Sequence, residues 1–323
     1  MKFNRLLATT TFLLTTAAST AQFTDVINSN RPGESMGAFS VGKTVIQAEA
    51  GPYFIREKHD KLDWESKGWG MDLNVRYGAF FEQLELILDA QYQSDEVVAP
   101  LKTEKRNGFK QLSFGAKYLV YDPNKNYERK PNLYSWKANH KFHWHDIIPA
   151  VGVYGGFNFN INNPYVSEHE EKVNPKLMVL TQNQFGRTVV VLNFYADRII
   201  TNYLTLGYVA TVTFGINERW SAFLENQGYK SDYHKDNILR GGAAFLIKEN
   251  FQVDLSAGTN FREDPSLLIV GAGVSWRFDE NYQEVYLRVP NDDKGKKEDK
   301  EKKKKDKKKR KDGIDPDTGE PTE

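Results

Sequence analysis

Trp69-Gly70-Met71-Asp72-Leu73-Asn74-Val75-Arg76-Tyr77 is the stretch of sequence that decides the fold. Its odd positions are apolar and its even positions are glycine or polar, so the residue character alternates with a period of two. Alternation of this kind is typical of a β-strand that has one apolar face and one polar face. An aromatic residue stands at each end of the apolar face. The stretch therefore predicts a strand whose two faces meet different surroundings.

The same alternation recurs along the chain and defines twelve predicted strands. Most of them are longer than the ~5–6 residues typical of globular sheets, and they approach the ~9–11 residues of a tilted transmembrane strand. Twelve is an even number, as in single-chain bacterial outer-membrane barrels. The predicted fold is all-β, an antiparallel transmembrane β-barrel of about twelve strands of the outer-membrane type. The segments are 43–55, 69–77, 82–93, 108–121, 147–160, 176–184, 188–197, 202–214, 220–230, 236–247, 250–261 and 266–278.

The connections between these strands alternate in length. The connections 78–81, 185–187, 215–219 and 248–249 are short, whereas 56–68, 94–107 and 161–175 are longer and charged. Outer-membrane barrels have short periplasmic turns and longer external loops. We therefore expect the short connections on the periplasmic side. The connection 122–146 is the exception, because it is long where a short turn is expected.

Residues 1–21 have the features of a secretory signal peptide. Lys2 and Arg5 precede an apolar, threonine-rich run, and Ser19-Thr20-Ala21 ends it before Gln22. The run is shorter than the ~20 residues that a spanning helix needs, so we expect cleavage after Ala21 and export. The chain has no cysteine, which excludes a disulfide framework, a cysteine-ligated metal site and a thiol nucleophile. The mature chain is then divided into an N-terminal segment 22–42, the barrel 43–278 and a lysine-rich tail 279–323, which is expected to be disordered in the periplasm.

In a membrane barrel the apolar face of each strand meets lipid and the polar face lines the lumen. The inward set inferred from the alternation consists of polar residues and glycines. Ten charged residues are candidates for the lumen: Glu49, Asp72, Arg76, Glu85, Asp89, Lys117, Glu225, Arg240, Asp254 and Arg277. Nine glycines share the inward positions and are expected to leave space: Gly70, Gly115, Gly152, Gly156, Gly207, Gly242, Gly258, Gly271 and Gly273.

The charged lumen has two interpretations that the sequence leaves open. The charges line a polar permeation path, or they pair with one another to brace the interior. A four-residue turn at 78–81 would set Asn74 opposite Glu85 and Arg76 opposite Gln83, with Arg76 diagonal to Glu85. Twelve strands predict a narrow pore, since ~8 strands are just filled and ~16–18 leave a wide channel. The segment 22–42 is either periplasmic or folds into the lumen as a partial constriction.

Aromatic residues on the outward face are expected to form girdles at the two membrane interfaces. They are Trp69, Tyr77, Tyr92, Tyr118, Trp220, Trp276 and Phe278. The corresponding partner of the barrel wall is outer-membrane lipid, and the barrel-assembly machinery is the expected partner in its insertion.

The tail from Lys294 to Lys311 contains 13 Lys or Arg against 4 acids. Such a charged run cannot form a core and is predicted to be disordered. It is either a solvated tail or a tether to the cell wall or an acidic periplasmic partner. Export and the lack of interleaved aromatic residues argue against nucleic acid as a partner.

Histidine chemistry offers only a weak metal site. His140, His143 and His145 are the one histidine cluster, and their neighbours are mainly aromatic or basic. All six histidines fall in predicted connections rather than on strands, and no Ser, His and Asp spacing suggests a catalytic triad. We therefore expect neither an enzyme nor a cofactor.

Several fragments in order along the chain resemble one family. They are Asn30-Arg31-Pro32-Gly33-Glu34-Ser35, Gln47-Ala48-Glu49-Ala50-Gly51, Arg76-Tyr77-Gly78 with Leu84-Glu85-Leu86, Gly115-Ala116-Lys117-Tyr118, and Gly271-Ala272-Gly273-Val274-Ser275-Trp276-Arg277-Phe278. They resemble the Gram-negative outer-membrane transporter family described as "Putative MetA-pathway of phenol degradation", over roughly 24–278. The resemblance implies an outer-membrane channel or transporter. The expected function is passive passage of small solutes; the alternative is a structural or interaction barrel with a blocked lumen, tethered by its basic tail.

Overall fold

Twelve antiparallel strands close into a barrel in the computed structural model of the chain, which describes residues 27–125, 134, 144–161, 163–166, 170–199, 201, 204–232, 235–262 and 264–279. Each strand pairs with the next, and β1 pairs with β12 from Ile46 opposite Phe278 to Lys58 opposite Ser266. The strands are β1 (Ile46–His59), β2 (Trp64–Gly78), β3 (Leu84–Ala99), β4 (Lys102–Tyr121), β5 (Ala150–Phe159), β6 (Val173–Phe185), β7 (Thr188–Asp197), β8 (Thr205–Gly215), β9 (Trp220–Lys230), β10 (Lys235–Lys248), β11 (Phe251–Asn260) and β12 (Ser266–Phe278).

The predicted twelve-stranded antiparallel barrel of the outer-membrane type is therefore confirmed. The signal peptide 1–21, the beginning of the N-terminal segment and the tail beyond residue 279 lie outside the described residues. No helix in the described part of the chain is long and apolar enough to span a membrane.

The wall of the barrel is amphipathic along every strand. On β1, the odd residues from Gln47 to Ile55 are buried, whereas Ile46 and Phe54 on the opposite face are 42% and 46% exposed. The same two-residue period holds around the ring. Closure pairs the strand edges, which leaves no open edge to satisfy in an apolar medium.

The barrel has two ends, which we name by their connections. The terminal rim contains Ile46, Phe278 and the connections 79–83, 122–149, 186–187, 216–219 and 249–250. The loop rim is the opposite end, with the connections 60–63, 100–101, 160–172, 198–204, 231–234 and 261–265. The long connection 122–149 joins two strand ends at the terminal rim, and its described part includes a short 3-10 helix over Trp144–Ile147.

Two predicted loops are largely strand. The segments 56–68 and 94–107 were expected as external loops, but β1 and β2 continue to a turn at 60–63, and β3 and β4 continue to a turn at 100–101. Cross-strand ion pairs such as Arg56–Glu65, at 2.6 Å between Nε and Oε1, extend the ladder beyond the apolar band. The charged residues of these two segments therefore belong to exposed ends of strands and not to loops.

The predicted register of β2 and β3 is wrong. Asn74 lies opposite Asp89, Arg76 opposite Ile87 and Gly78 opposite Glu85. The connection is longer than the assumed four-residue turn, because it contains 79–83 and Ala79 N–H donates to the Leu84 carbonyl at 3.0 Å. Arg76 remains diagonal to Glu85 in the observed register, so the expected contact between them forms.

Candidate functional site

Residues 27–42 form a non-strand segment that lies inside the ring of strands; we call it the luminal segment. It enters at the terminal rim, where Ile27 N–H donates to the Glu249 carbonyl at 2.8 Å. It reaches the far wall at Met36, whose N–H and carbonyl both bond to the Asn193 side chain of β7, at 2.6 and 2.9 Å. It returns to the terminal rim, where Thr44 N–H donates to the Gly78 carbonyl.

Arg31 binds the wall where β11, β12 and β2 face the lumen. Its Nε and Nη2 each lie 3.2 Å from a carboxylate oxygen of Asp254, and its Nη1 lies 3.7 Å from Asp72. This two-point arrangement uses the planar fork of the guanidinium. A Cβ at Gly273 would lie 2.3 Å from Arg31 Nε, so the glycine leaves the room that the side chain occupies.

Arg31 also bridges a break in the closing seam of the barrel. The register of β1 with β12 is interrupted at Gly51 and Pro52, opposite Gly273 and Ala272. Proline has no N–H to give to a neighbouring strand. Arg31 Nη2 donates to the Ala272 carbonyl at 3.2 Å. The luminal segment thus supplies a donor where the β1 backbone has none.

Glu225 of β9 anchors the turn of the luminal segment. Its carboxylate accepts the N–H groups of Glu34 and Ser35, the Thr211 hydroxyl and Arg240 Nη1, at 2.6 to 3.2 Å. Two of the wall charges predicted from alternation, Glu225 and Arg240, therefore form an ion pair. A Cβ at Gly33 would lie 2.4 Å from Glu225 Oε2, so the close approach requires glycine.

A dry charged layer lies beside the luminal segment near the terminal rim. Arg76 Nε is 2.6 Å from Glu85 Oε1 and its Nη1 is 3.4 Å from Glu49, while Lys117 Nζ is 3.2 Å from Glu85. These side chains are 0–1% exposed. Lys117 Nζ also donates to the carbonyls of Gly37 and Phe39 at 3.0 and 2.9 Å. The layer binds wall and luminal segment together and excludes water.

Some polar side chains in the interior of the ring, outside the dry layer, border solvated space. The side chains of Glu34 and Asp72 are 47% and 29% exposed, although both belong to the interior of the ring. Gln91 donates to Asp72 and Gln111 donates to Asp89, both at 2.8 Å. The Glu34 and Asp72 side chains therefore border solvated space inside the ring, whereas the dry layer is closed.

All ten predicted charges occupy inward-facing strand positions, but they do not form one site. Seven belong to the three groups around Arg31, Glu225 and the dry layer. Asp72 joins the first group at the longer 3.7 Å distance. Asp89 lies apart with Gln111, and Arg277 pairs at the terminal rim with Asp279, at 3.1 Å.

The inward set is less polar than predicted, because large side chains also face the lumen. Tyr53, Ile55, Ile238 and Leu267 form one buried cluster, and Ile87, Tyr154, Met178 and Leu180 form another against Met36. The same alternation that placed glycines inward also places these residues inward, so the signal was present in the sequence.

Several inward glycines are covered and do not leave open lumen. A Cβ at Gly70 would lie 2.1 Å from the Tyr53 ring, and one at Gly207 would lie 2.3 Å from the Tyr195 ring. Each tyrosine is the direct cross-strand partner of its glycine. The rings lie against the wall at the glycines, as aromatic residues do in sheets where a partner lacks a side chain.

Alternation did not identify two sets of charged residues in the interior. Arg31 and Glu34 belong to a segment without periodicity, so nothing local indicated their wall partners. Asp95 of β3 accepts two bonds from Arg106 of β4, at 3.1 and 2.5 Å. Asp95 shares the odd-numbered, inward face of β3 with Glu85 and Asp89, so alternation could have found it. The segment 94–107 was expected to be a loop instead.

The seven predicted girdle residues all lie at outward-facing positions of their strands. Trp69 and Tyr92 are 6.1 Å apart between ring centroids, and Tyr92 packs edge-on against Phe109. Trp276 and Phe278 form a second contact near the terminal rim, at 5.8 Å, with Trp220 4.8 Å from Phe245. Tyr77 and Tyr118 complete the second group, near the ends of β2 and β4.

Of the three candidate metal-ligating histidines, His140 and His143 lie outside the described residues. His145 Nε2 lies 3.0 Å from the Pro123 carbonyl. Within the described ranges, no group of three His, Cys, Asp or Glu side chains is arranged to hold a metal ion.

The fold and the occupied lumen define a membrane-type β-barrel with an internal N-terminal segment. The family model described as "Putative MetA-pathway of phenol degradation" matches residues 29–278, and the chain belongs to this family. The match begins within the luminal segment and ends with β12. The predicted family resemblance is confirmed.

Solved structures with similar barrels share little sequence with the chain. The COG4313 outer membrane channel from Pseudomonas putida F1 has 10% identity and a TM-score of 0.49, over 78% of this chain and 100% of that one. The translocator domain of the autotransporter NalP from Neisseria meningitidis has 9% identity and a TM-score of 0.45, over 73% and 89%. The likeness is one of barrel architecture. None of the curated proteins matches the chain significantly.

Proposed function

We propose that the protein is an outer-membrane channel for passive passage of small solutes, with the luminal segment as its constriction. The observation that carries the proposal is the polarity of the barrel, which is apolar outside and charged inside, with the Glu34 and Asp72 side chains partly solvated within the ring. A lipid-facing outer surface explains the exposed apolar band. The loop rim would then face outward, and the terminal rim would face the periplasm.

The luminal segment is suited to act as the constriction. Its contacts with the wall are mostly between wall side chains and segment backbone, as at Asn193, Glu225 and Lys117. None of residues 27–42 belongs to a strand of the ring. The segment can therefore leave the lumen without unpairing the wall, which supports a path that widens when the segment moves.

Conductance across planar lipid bilayers tests this proposal. The full mature chain should give small single-channel currents, and a variant lacking residues 22–40 should give larger ones, because the dry layer would lose the backbone that completes it. A matched variant, Asn183→Leu, changes an outward amide bonded to the Ile147 carbonyl and should conduct like the parent. Equal conductance of the parent and the truncated chain would contradict the role of the segment.

A second candidate function is a structural or interaction barrel with a permanently blocked lumen. The dry layer favours it, since Arg76, Glu85 and Lys117 are fully buried and hold Gly37 and Phe39 in place. The tail Lys294–Lys311, outside the described residues, would then bind the cell wall or an acidic periplasmic partner. Absence of any conductance, with the tail intact and with it deleted, would favour this candidate over the channel.

A further inference from the structure

A recess on the outer face of the barrel lies near the loop rim. It has a volume of about 550 Å³ and is bounded by β7 to β10 and by the connection after β11. Phe194 and Leu206 give it an apolar side, and both point outward at 56% and 55% exposure. Gly228 forms part of its floor beneath the Tyr208 ring, where a Cβ would lie 2.5 Å from Tyr208 Cε1.

Two lysines face each other directly across this recess. Lys230 of β9 and Lys235 of β10 are cross-strand partners in the register, and both are exposed on the outward side. Arg262 lines the same recess, and its Nη1 donates to the Lys235 carbonyl at 2.8 Å. Like charges directly opposite one another destabilise a sheet, so the arrangement is unfavourable without an anion.

One acid lines the recess beside these three cations. Asp236 lines the recess, but its carboxylate accepts both bonds from Asn260 Nδ2, at 3.1 and 3.4 Å, and its strand position is inward. Asp232 is exposed in the adjoining connection. Among the described residues, none of the three cations forms a salt bridge. With three cations and one carboxylate, the lining of the recess has a net positive charge.

Polar side chains lie beside the cations on a face that is otherwise apolar. The Tyr208 hydroxyl donates to Asn226 Oδ1 at 2.7 Å, Asn226 Nδ2 donates to Asn237 Oδ1 at 2.7 Å, and Asn237 Nδ2 donates to the Tyr208 oxygen at 3.0 Å. This closed triangle satisfies its own members. Two of its members, Tyr208 and Asn237, line the recess beside the cations.

We propose that this recess binds a phosphorylated, acylated glycolipid of the outer leaflet, with Lys230, Lys235 and Arg262 on its phosphates. Phe194 and Leu206 contact the acyl chains, and the Tyr208–Asn226–Asn237 triangle contacts the sugar. Apolar, polar and basic side chains border this one recess, as acyl chains, sugar and phosphates belong to one molecule of such a lipid. The proposal rests on the outer-membrane placement proposed above, with the loop rim outward, and does not depend on an open lumen.

Native mass spectrometry of the full mature chain in detergent tests the proposal. The probes are bisphosphorylated lipid A, dephosphorylated lipid A and phosphatidylethanolamine. The parent should retain the bisphosphorylated form preferentially. K230Q/K235Q should weaken its binding by about tenfold or more, as expected for two basic groups removed from an anionic lipid site. Equal binding of all three probes would overturn the proposal.

A control variant also removes two lysines, but from a part of the barrel outside the recess. Lys102 and Lys105 lie in the β3–β4 hairpin and pair with Glu104 and Glu96, at 2.9 and 3.8 Å. K102Q/K105Q should bind bisphosphorylated lipid A like the parent. An equal loss in both double variants would show general attraction by surface charge and would overturn a specific site.

A third variant separates lost binding from lost folding. Lys230→Glu creates an opposite-charge pair with Lys235, so in lipid-free detergent its melting temperature should exceed that of the parent. Added bisphosphorylated lipid A should raise the melting temperature of the parent and not that of the variant. Its conductance should equal that of the parent, which keeps this test separate from the channel proposal. A shift of equal size in both proteins would overturn the proposal.

Discussion

Single side chains inside this barrel serve the wall and the luminal segment together. Glu85 is the clearest case, because its carboxylate accepts from Arg76, Lys117 and the N–H of Val41. Alternation placed all three charges on one face before their distances were known. It did not show that they converge on one carboxylate, because the register depends on the turn, and the partner Val41 belongs to a segment without periodicity.

At the residue scale, Glu85→Leu should destabilise the barrel more than Lys117→Met. Removal of Glu85 leaves Arg76 and Lys117 as buried cations, and breaking a buried pair costs about 3–5 kcal/mol. Removal of Lys117 leaves Glu85 paired with Arg76, so its cost should be about 1–3 kcal/mol. Urea-dependent folding in lipid vesicles measures both free energies of unfolding. Equal costs, or the reverse order, would contradict the assignment of Glu85 as the centre of the layer.

At the scale of elements, the strands can be recognised from the sequence, whereas the luminal segment cannot. The strands are recognisable from their own residues, since a period of two reports which face meets lipid. The luminal segment has no such period, and its sequence Asn30–Ser35 was recognisable only as a family fragment. Its path follows from distant groups on β7, β9 and β11, which no local pattern can report.

Gly33→Ala should loosen the luminal segment without disturbing the ring. Its Cβ would lie 2.4 Å from Glu225 Oε2, and that oxygen is fixed by Thr211 and the N–H groups of the segment. Single-channel conductance should rise, and residues 27–42 should become more accessible to protease. Gly155→Ala is the matched control, because its Cβ would meet only Leu177 at 3.5 Å. Unchanged conductance and protection in Gly33→Ala would contradict the anchoring role of Glu225.

A pH-dependent contact joins two connections of the loop rim. The N–H of Asp60 donates to Asp264 Oδ1 at 2.8 Å, and this bond together with Lys61 holds the pKa of Asp264 below its usual range. A lowered folded-state pKa stabilises the contact above the unfolded-state pKa, and the stabilisation is lost as pH falls through the folded-state value. The protection of the Asp60 amide against hydrogen exchange, taken relative to the intrinsic rate at each pH, should therefore fall at acid pH.

The matched variant for this contact is Asp264→Asn. Its side chain cannot ionise and its amide oxygen is a weaker acceptor, so the protection of the Asp60 amide should already be lower at neutral pH. The further loss of protection on acidification should be absent. An acid-induced loss of protection of the same size in the variant would assign the effect to another group.

At the scale of the whole molecule, stability depends on closure between the first and last strands. β1 and β12 are farthest apart in sequence, and their pairing alone completes the ring. The seam is interrupted at Pro52, where Arg31 binds the Ala272 carbonyl. The number of strands was predictable from length and alternation. An even number also places the start of β1 and the end of β12 at the same rim. The bridging by Arg31 was not predictable, because it joins three distant parts of the chain.

Val274→Pro should prevent closure. Val274 lies opposite Ala50 on one side and Val253 on the other, and proline in a strand paired on both sides removes a backbone donor that lipid cannot replace. The variant should lack the heat-modifiable mobility of a closed barrel on gel electrophoresis. Val274→Ala keeps the N–H and should close. A folded, heat-modifiable Val274→Pro barrel would show that the seam tolerates a second break.

The sequence by itself determined that this chain forms twelve amphipathic strands and which side chains face lipid or lumen, because a two-residue period is a local property of an extended backbone. The tertiary structure alone decided the β2–β3 register, the covering of inward glycines by Tyr53 and Tyr195, and the path of the luminal segment. These features depend on turn length and on contacts between residues up to hundreds of positions apart, such as Arg31 with Asp254. Long-range pairing of this kind has no period in the sequence, and only closure of the ring brings the partners together.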